Sequence, residues 1–151
     1  MQIAISRWVV ALLLAVAFQI LVAPANAEDA TDHVAIQGYD VVAYFTDGKA
    51  TKGSSDISLP FEDSRWQFSS TAHKEMFAAD PDRYMPQYGG SCAGGMVLGM
   101  LVAADPENWV IVDGKLYMVS GTKADLEAWM AHAAENIAAA DAKWAKTAGQ
   151  Q

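Results

Sequence analysis

Asp113-Gly114 stands between two apolar runs, Trp109 to Val112 and Lys115 to Val119, and constrains the fold more than any other short segment. Asp-Gly readily supplies the two left-handed residues of a type I′ turn, whose twist matches that of paired antiparallel strands. A β-hairpin is predicted there. A second is predicted earlier, where Ile57, Leu59 and Phe61 alternate with polar or small residues. Glu62-Asp63-Ser64 follows, and Arg65-Trp66-Gln67-Phe68 alternates again, placing Trp66 and Phe68 on the buried face.

Helical signals fill the remaining chain. Asp40, after Gly38, can cap a short helical turn reaching Phe45. Lys49 to Asp56 reads as loop. Ser70 or Thr71 opens a helix to about Asp80, with Ala72, Met76 and Phe77 facing inward. Asp80-Pro81 restarts the chain as a second short helix. Met96 to Leu101 reads as a helical turn or two, and Asp105-Pro106 as the start of a turn. Thr122 with Asp125 has the form of a capping box. The alanine-rich stretch to Ala148 then carries Leu126, Met130, Ala133, Ile137, Ala140 and Trp144 as one apolar stripe. The predicted fold class is α+β: a small single domain with two β-hairpins, several short helices and a long amphipathic C-terminal helix.

The N-terminus reads as an address. Arg7 precedes an apolar run from Trp8 to Val22 broken only by Gln19, and Pro24 and Ala25-Asn26-Ala27 follow. This is the pattern of a secretory signal peptide cut after Ala27. An uncleaved anchor is the alternative, but the run falls short of the roughly 18 to 20 residues a span needs. Residues 1–27 are therefore assigned to a signal peptide, 28–34 to a mobile acidic leader, 35–121 to the domain, and 122–148 to a helix packed on it. The expected location is periplasmic or secreted, with no stable membrane insertion after cleavage.

Charge and cysteine content narrow the chemistry. The chain has 18 acidic and 10 basic residues, a balance that repels phosphate backbones and argues against nucleic acid as partner. A metal ion or an unidentified protein is the expected partner. One cysteine excludes an internal disulfide and any zinc site built from several cysteines. In an oxidising compartment the fates open to Cys92 are burial, metal ligation or reactivity. GxGxxG after a strand, GxSxG, HExxH and CxxC are all missing, and no pair of carboxylates suggests acid–base work.

The candidates that remain are soft or basic donors. His73 lies on or beside the inward face of its helix, whereas His33 and His132 are expected in solvent. Cys92, Met96 and Met100 recur at i, i+4 and i+8, and would share one side of a helix. Thiolate and thioether suit Cu(I). Equally, Met96 and Met100 can be core filling, and Gly94, Gly95 and Gly99 weaken the helix the spacing assumes.

Several motifs occur in a characteristic order. They are Gly38-Tyr39-Asp40 with Ala43-Tyr44-Phe45; Trp66-Gln67-Phe68-Ser69-Ser70; His73, Phe77, Asp80-Pro81 and Tyr84; Pro86 to Gly90 with Cys92-Ala93; Asp105-Pro106-Glu107 with Trp109; and Ile111 to Tyr117. Over about residues 35 to 145 the chain resembles the YHS domain family, in its exported single-domain branch. The resemblance implies a small α+β module of a kind found beside heavy-metal transport modules, copper-transporting ATPases among them. It implies a binding module for a soft transition metal, copper first, and supplies no reaction. Aligned on Asp40 and Phe68, the cysteines of the metal-type pattern fall at Ala43, Ser69 and His73, so only His73 keeps a good ligand type there. Cys92 belongs to the exported branch's glycine-rich motif. The expected metal site is Cys92 with His73, and the spacing adds Met96 and Met100. Two other readings stay open: a structural or protein-interaction domain with Cys92 buried, and a thiol-based redox protein in which His73 serves Cys92 as base or charge partner.

Overall fold

The structure is a computed structural model and describes residues 33–148. The expected signal peptide at 1–27, and all of the leader except His33 and Val34, lie outside the described residues.

Asp113 and Gly114 both take positive φ, 50° and 75°, as a type I′ turn requires. The turn joins strand β3 (Asp105–Val112) to β4 (Lys115–Val119), pairing Val112 with Lys115 and Trp109 with Met118. Asp105-Pro106, expected to open a turn, instead begins β3. The pairing register shifts between Asp105 and Trp109, and a proline is tolerated where the ladder is interrupted. The other hairpin joins β1 (Ser54–Phe61) to β2 (Ser64–Phe68), and Trp66 and Phe68 are buried as expected. Strand β1 starts inside the stretch read as loop. Gly53 permits this close pass, since a Cβ there would lie 2.4 Å from the Gln67 carbonyl carbon.

Six helices accompany the hairpins among the described residues: α1 (Ala43–Thr46), α2 (Thr71–Ala79), α3 (Pro81–Tyr84), α4 (Ala93–Val97), α5 (Lys123–Met130) and α6 (Ala133–Ala148). Their starts follow the sequence. Ser70 Oγ accepts from the His73 N–H at 3.1 Å, Asp80 accepts from the Arg83 N–H, and Thr122 and Asp125 cap each other.

Two facings depart from expectation. On α2, Ala72 and Met76 are exposed and only Phe77 is fully buried. This short helix meets the first hairpin through one ring, with Phe77 packed on Phe61, Trp66 and Phe68. The C-terminal segment is two helices rather than one. The chain breaks at Ala131-His132, where Asn136 Nδ2 donates to the Trp129 carbonyl at 2.9 Å and satisfies the end of α5. The break turns Trp129 inward and leaves Met130 exposed, while Ala140 of the long helix α6 is fully buried. Helix α6 packs against α4.

Two left-handed turns complete the frame, Ala35–Gly38 and Gln87–Gly90. Ile36, Gln37 and Tyr88 hold φ of 37°, 53° and 58° without being glycine, a conformation that L-residues rarely adopt. The turns touch: a Cβ on Gly90 would stand 3.0 Å from Ile36 Cγ2. A cleft of about 230 Å³ opens beside them, bordered by His33, Gln37, Gly90, Ser91, Ala104 and Met118. Among the described residues no helix is long and apolar enough to cross a membrane.

Candidate functional site

Two interior polar groups stand out, built from different parts of the chain. The first centres on Asp40, which is fully buried at the head of the apolar segment Val41 to Tyr44. A buried carboxylate needs partners, and Asp40 has them. Oδ1 accepts from the Val42 and Ala43 N–H groups at 3.0 and 3.4 Å. Oδ2 accepts from the Ser69 N–H at 2.8 Å and the Ser69 hydroxyl at 2.6 Å. His73 Nδ1, one turn into α2, lies 2.6 Å from the same oxygen. An ionised carboxylate only accepts, so Nδ1 donates to Asp40, and in the neutral tautomer Nε2 presents a lone pair. Nε2 lies 3.3 Å from Thr46 Oγ1 and 3.9 Å from Asp47 Oδ1. The arrangement can accept a proton at Nε2 or offer that nitrogen to a metal.

The second group is Cys92, which caps α4 and is 5% exposed. Its Sγ accepts from the Ser120 N–H at 3.1 Å and the Gly95 N–H at 3.4 Å. The Cys92 backbone is held between Val102, whose carbonyl accepts its N–H, and Met118, its bridge partner. Burial pushes the thiol up, yet hydrogen bonding from Ser120 and from the Gly95 and Gly94 N–H groups outweighs it, and the net is below the ordinary thiol value of 9.0. Donors aimed at sulfur favour its anion. The indole of Trp129 lies close by. Its Nε1 is buried with no hydrogen-bond partner.

The expected soft-donor set separates into distinct environments. His73 bonds with Asp40, Ser69, Ser70 and Thr46, and the Cys92 thiol with Gly95 and Ser120. No hydrogen bond joins the two groups. Met96 is fully buried in the core, and Met100 is 49% exposed. The i, i+4, i+8 stripe fails because α4 ends at Val97. Gly99 takes φ 76°, the Met100 N–H donates to the Gly95 carbonyl, and the Gly99 N–H to that of Met96. These two bonds are a Schellman reversal, which turns Met100 off the helix. Among the described residues no three His, Cys, Asp or Glu side chains gather to hold a metal. His132 is exposed, as expected, and so is His33 at the rim of the cleft.

Sequence reasoning missed Asp40 as the partner of His73, having read it only as a cap. The available signal was a carboxylate opening an apolar segment that the fold had to bury. Ser120 and Trp129 gave no comparable signal. No family model, no curated protein and no solved structure matches the chain.

Proposed function

We propose that this chain is an exported, single-domain module of the YHS type whose working group is the Cys92 thiolate, used in thiol-based redox chemistry. The observation that carries this reading is the pair of main-chain N–H donors, from Ser120 and Gly95, directed at Sγ. They stabilise the anion, and the anion is the nucleophile. With one cysteine in the chain, any disulfide that forms joins Cys92 to an external thiol. The test is the rate of Cys92 alkylation by iodoacetamide against pH in the folded protein. An inflection below that of the denatured chain is expected. An inflection at the ordinary thiol value, or labelling only after denaturation, returns Cys92 to a structural role.

A soft-metal module, copper first, is the second reading, and one observation favours it. Asp40 holds the Nδ1 proton of His73, the way metal-bound histidines are commonly oriented, and leaves Nε2 as the donor. Thiolate and imidazole both suit copper. As no bond links the two groups, each takes further ligands from solvent or a second molecule. Cu(I) titration of the wild type, Cys92→Ser and His73→Ala decides it: binding lost in either variant supports this reading, and binding indifferent to both removes it.

A further inference from the structure

Past the end of α4 the chain shows its apolar side chains to the outside. Leu98, Met100, Leu101 and Val102 are all exposed, Leu98 at 69% and Leu101 at 56%, and Ala103 extends the run. The other large exposed apolar side chains, Met76 and Met130, stand singly. Single exposed apolar residues are ordinary, whereas a contiguous group marks a contact surface. No charged residue or histidine occurs from Tyr84 to Ala104. The backbone of this tip is turned inward as well. The Leu98 and Met100 N–H groups both donate to the Gly95 carbonyl at 3.0 Å, and the Gly99 N–H donates to the Met96 carbonyl at 2.8 Å. At the base of the tip the Val102 carbonyl accepts from the Cys92 N–H at 2.8 Å. Polar groups already paired inside the chain carry no desolvation cost into an apolar medium. One cation stands beside them. A Cβ on Gly99 would lie 3.4 Å from Lys143 Cδ, so the aliphatic stem of Lys143 rests against the loop. Its ammonium makes no hydrogen bond or ion pair among the described residues.

We propose that residues 98–102 form a shallow docking tip for a phospholipid bilayer, with Leu98, Met100, Leu101 and Val102 entering the interface and Lys143 meeting lipid phosphate. The proposal goes beyond the thiol chemistry and does not depend on it. Neighbouring side chains of an irregular loop point to several sides. A solid protein groove receives one of those sides, and a fluid surface receives them all. The pairing of an apolar tip with a lysine stem that lies along it suits the boundary between acyl chains and headgroups. The chain has 18 acidic against 10 basic residues, so overall charge does not draw it to an anionic surface; the apolar tip supplies the binding, and Lys143 adds a local contact to phosphate. The attachment is peripheral, because among the described residues no helix is long and apolar enough to cross a membrane.

The experiment follows the methionine methyl resonances of the whole chain while phosphatidylcholine nanodiscs are added, with a nitroxide carried near the lipid headgroup. Met100 lies in the tip, and Met76 is exposed on α2. The Met100 methyl is expected to broaden and that of Met76 to stay sharp. This contrast keeps the apolar run at residues 8–22 from counterfeiting the result, since attachment through that run does not single out Met100. Leu98→Asp should raise the lipid concentration at half-broadening about tenfold or more, the worth of burying one leucine. Lys143→Glu should raise it about fivefold, the worth of one lysine near phosphates. No broadening at Met100 overturns the proposal and leaves the tip to water or to a protein partner. Equal broadening at Met76 and Met100, or a Leu98→Asp curve that matches wild type, overturns it too. A Met100 resonance that shifts with protein concentration before any lipid is added also overturns it and gives the tip to a second copy of the chain.

Discussion

Asp40 and Cys92 are both polar groups set in the interior, and the surroundings of one are complete while those of the other are not. Each Asp40 oxygen is occupied, by Val42 and Ala43 on one side and by Ser69 and His73 on the other. These bonds tie the segment before α1 to the end of β2 and the start of α2. Beside Cys92, the Trp129 N–H has nothing to hold. A saturated buried network fixes one packing arrangement. His73 is thus tied into the Asp40 network through Nδ1, whereas the Cys92 sulfur is held by two main-chain donors.

The comparison can be broken most forcefully at Asp40. Asp40→Ala removes the acceptor of three main-chain N–H groups, a hydroxyl and an imidazole, and is expected to cost about 3–5 kcal/mol in urea unfolding. A loss under about 1 kcal/mol would deny that this network organises the fold. His73→Ala leaves Asp40 its Ser69 and Val42 donors, so a smaller loss of about 1.5–3 kcal/mol is expected, the range of one bond to a charged group. Cys92→Ala should cost about 1 kcal/mol, near the centre for point substitutions, and should abolish alkylation. A loss as large as that at Asp40 would make Cys92 a structural keystone.

Two finer measurements sharpen the sulfur side. The Cys92 thiol is lowered in the folded state. Its anion therefore contributes stability that is fully present above the unfolded thiol value and is lost as pH falls through the folded one. The stability gap between wild type and Cys92→Ala should widen on going alkaline, in paired unfolding curves. A gap that narrows reverses the sign and removes the thiolate. Ser120→Ala keeps the main-chain donor to sulfur and removes a hydroxyl that already donates to the Ala103 carbonyl. The alkylation inflection should therefore move up only slightly.

What the sequence disclosed was local. Asp113-Gly114, Ser70 before α2, Asp80-Pro81 and the Thr122–Asp125 pair each act within four residues, and each appears where expected. The α+β class followed from them. What stayed hidden needed long-range closure. Asp40 and His73 are 33 positions apart and Cys92 and Ser120 are 28 apart, with no periodicity linking either pair. The apolar stripe through Met130 failed for a related reason. Asn136 ends α5 from outside it, and on α5 Trp129 rather than Met130 reaches the core. Gly99 was visible as a helix breaker, yet where it would send Met100 was not.

The contact between the two left-handed turns bears on how the molecule assembles. Ile36 and Tyr88 keep a handedness that neither peptide would choose in isolation, and each turn is braced by the other through Gly90. A side chain placed at residue 90 would therefore press on Ile36 in the other turn as well as strain its own backbone, so one substitution there disturbs both segments at once.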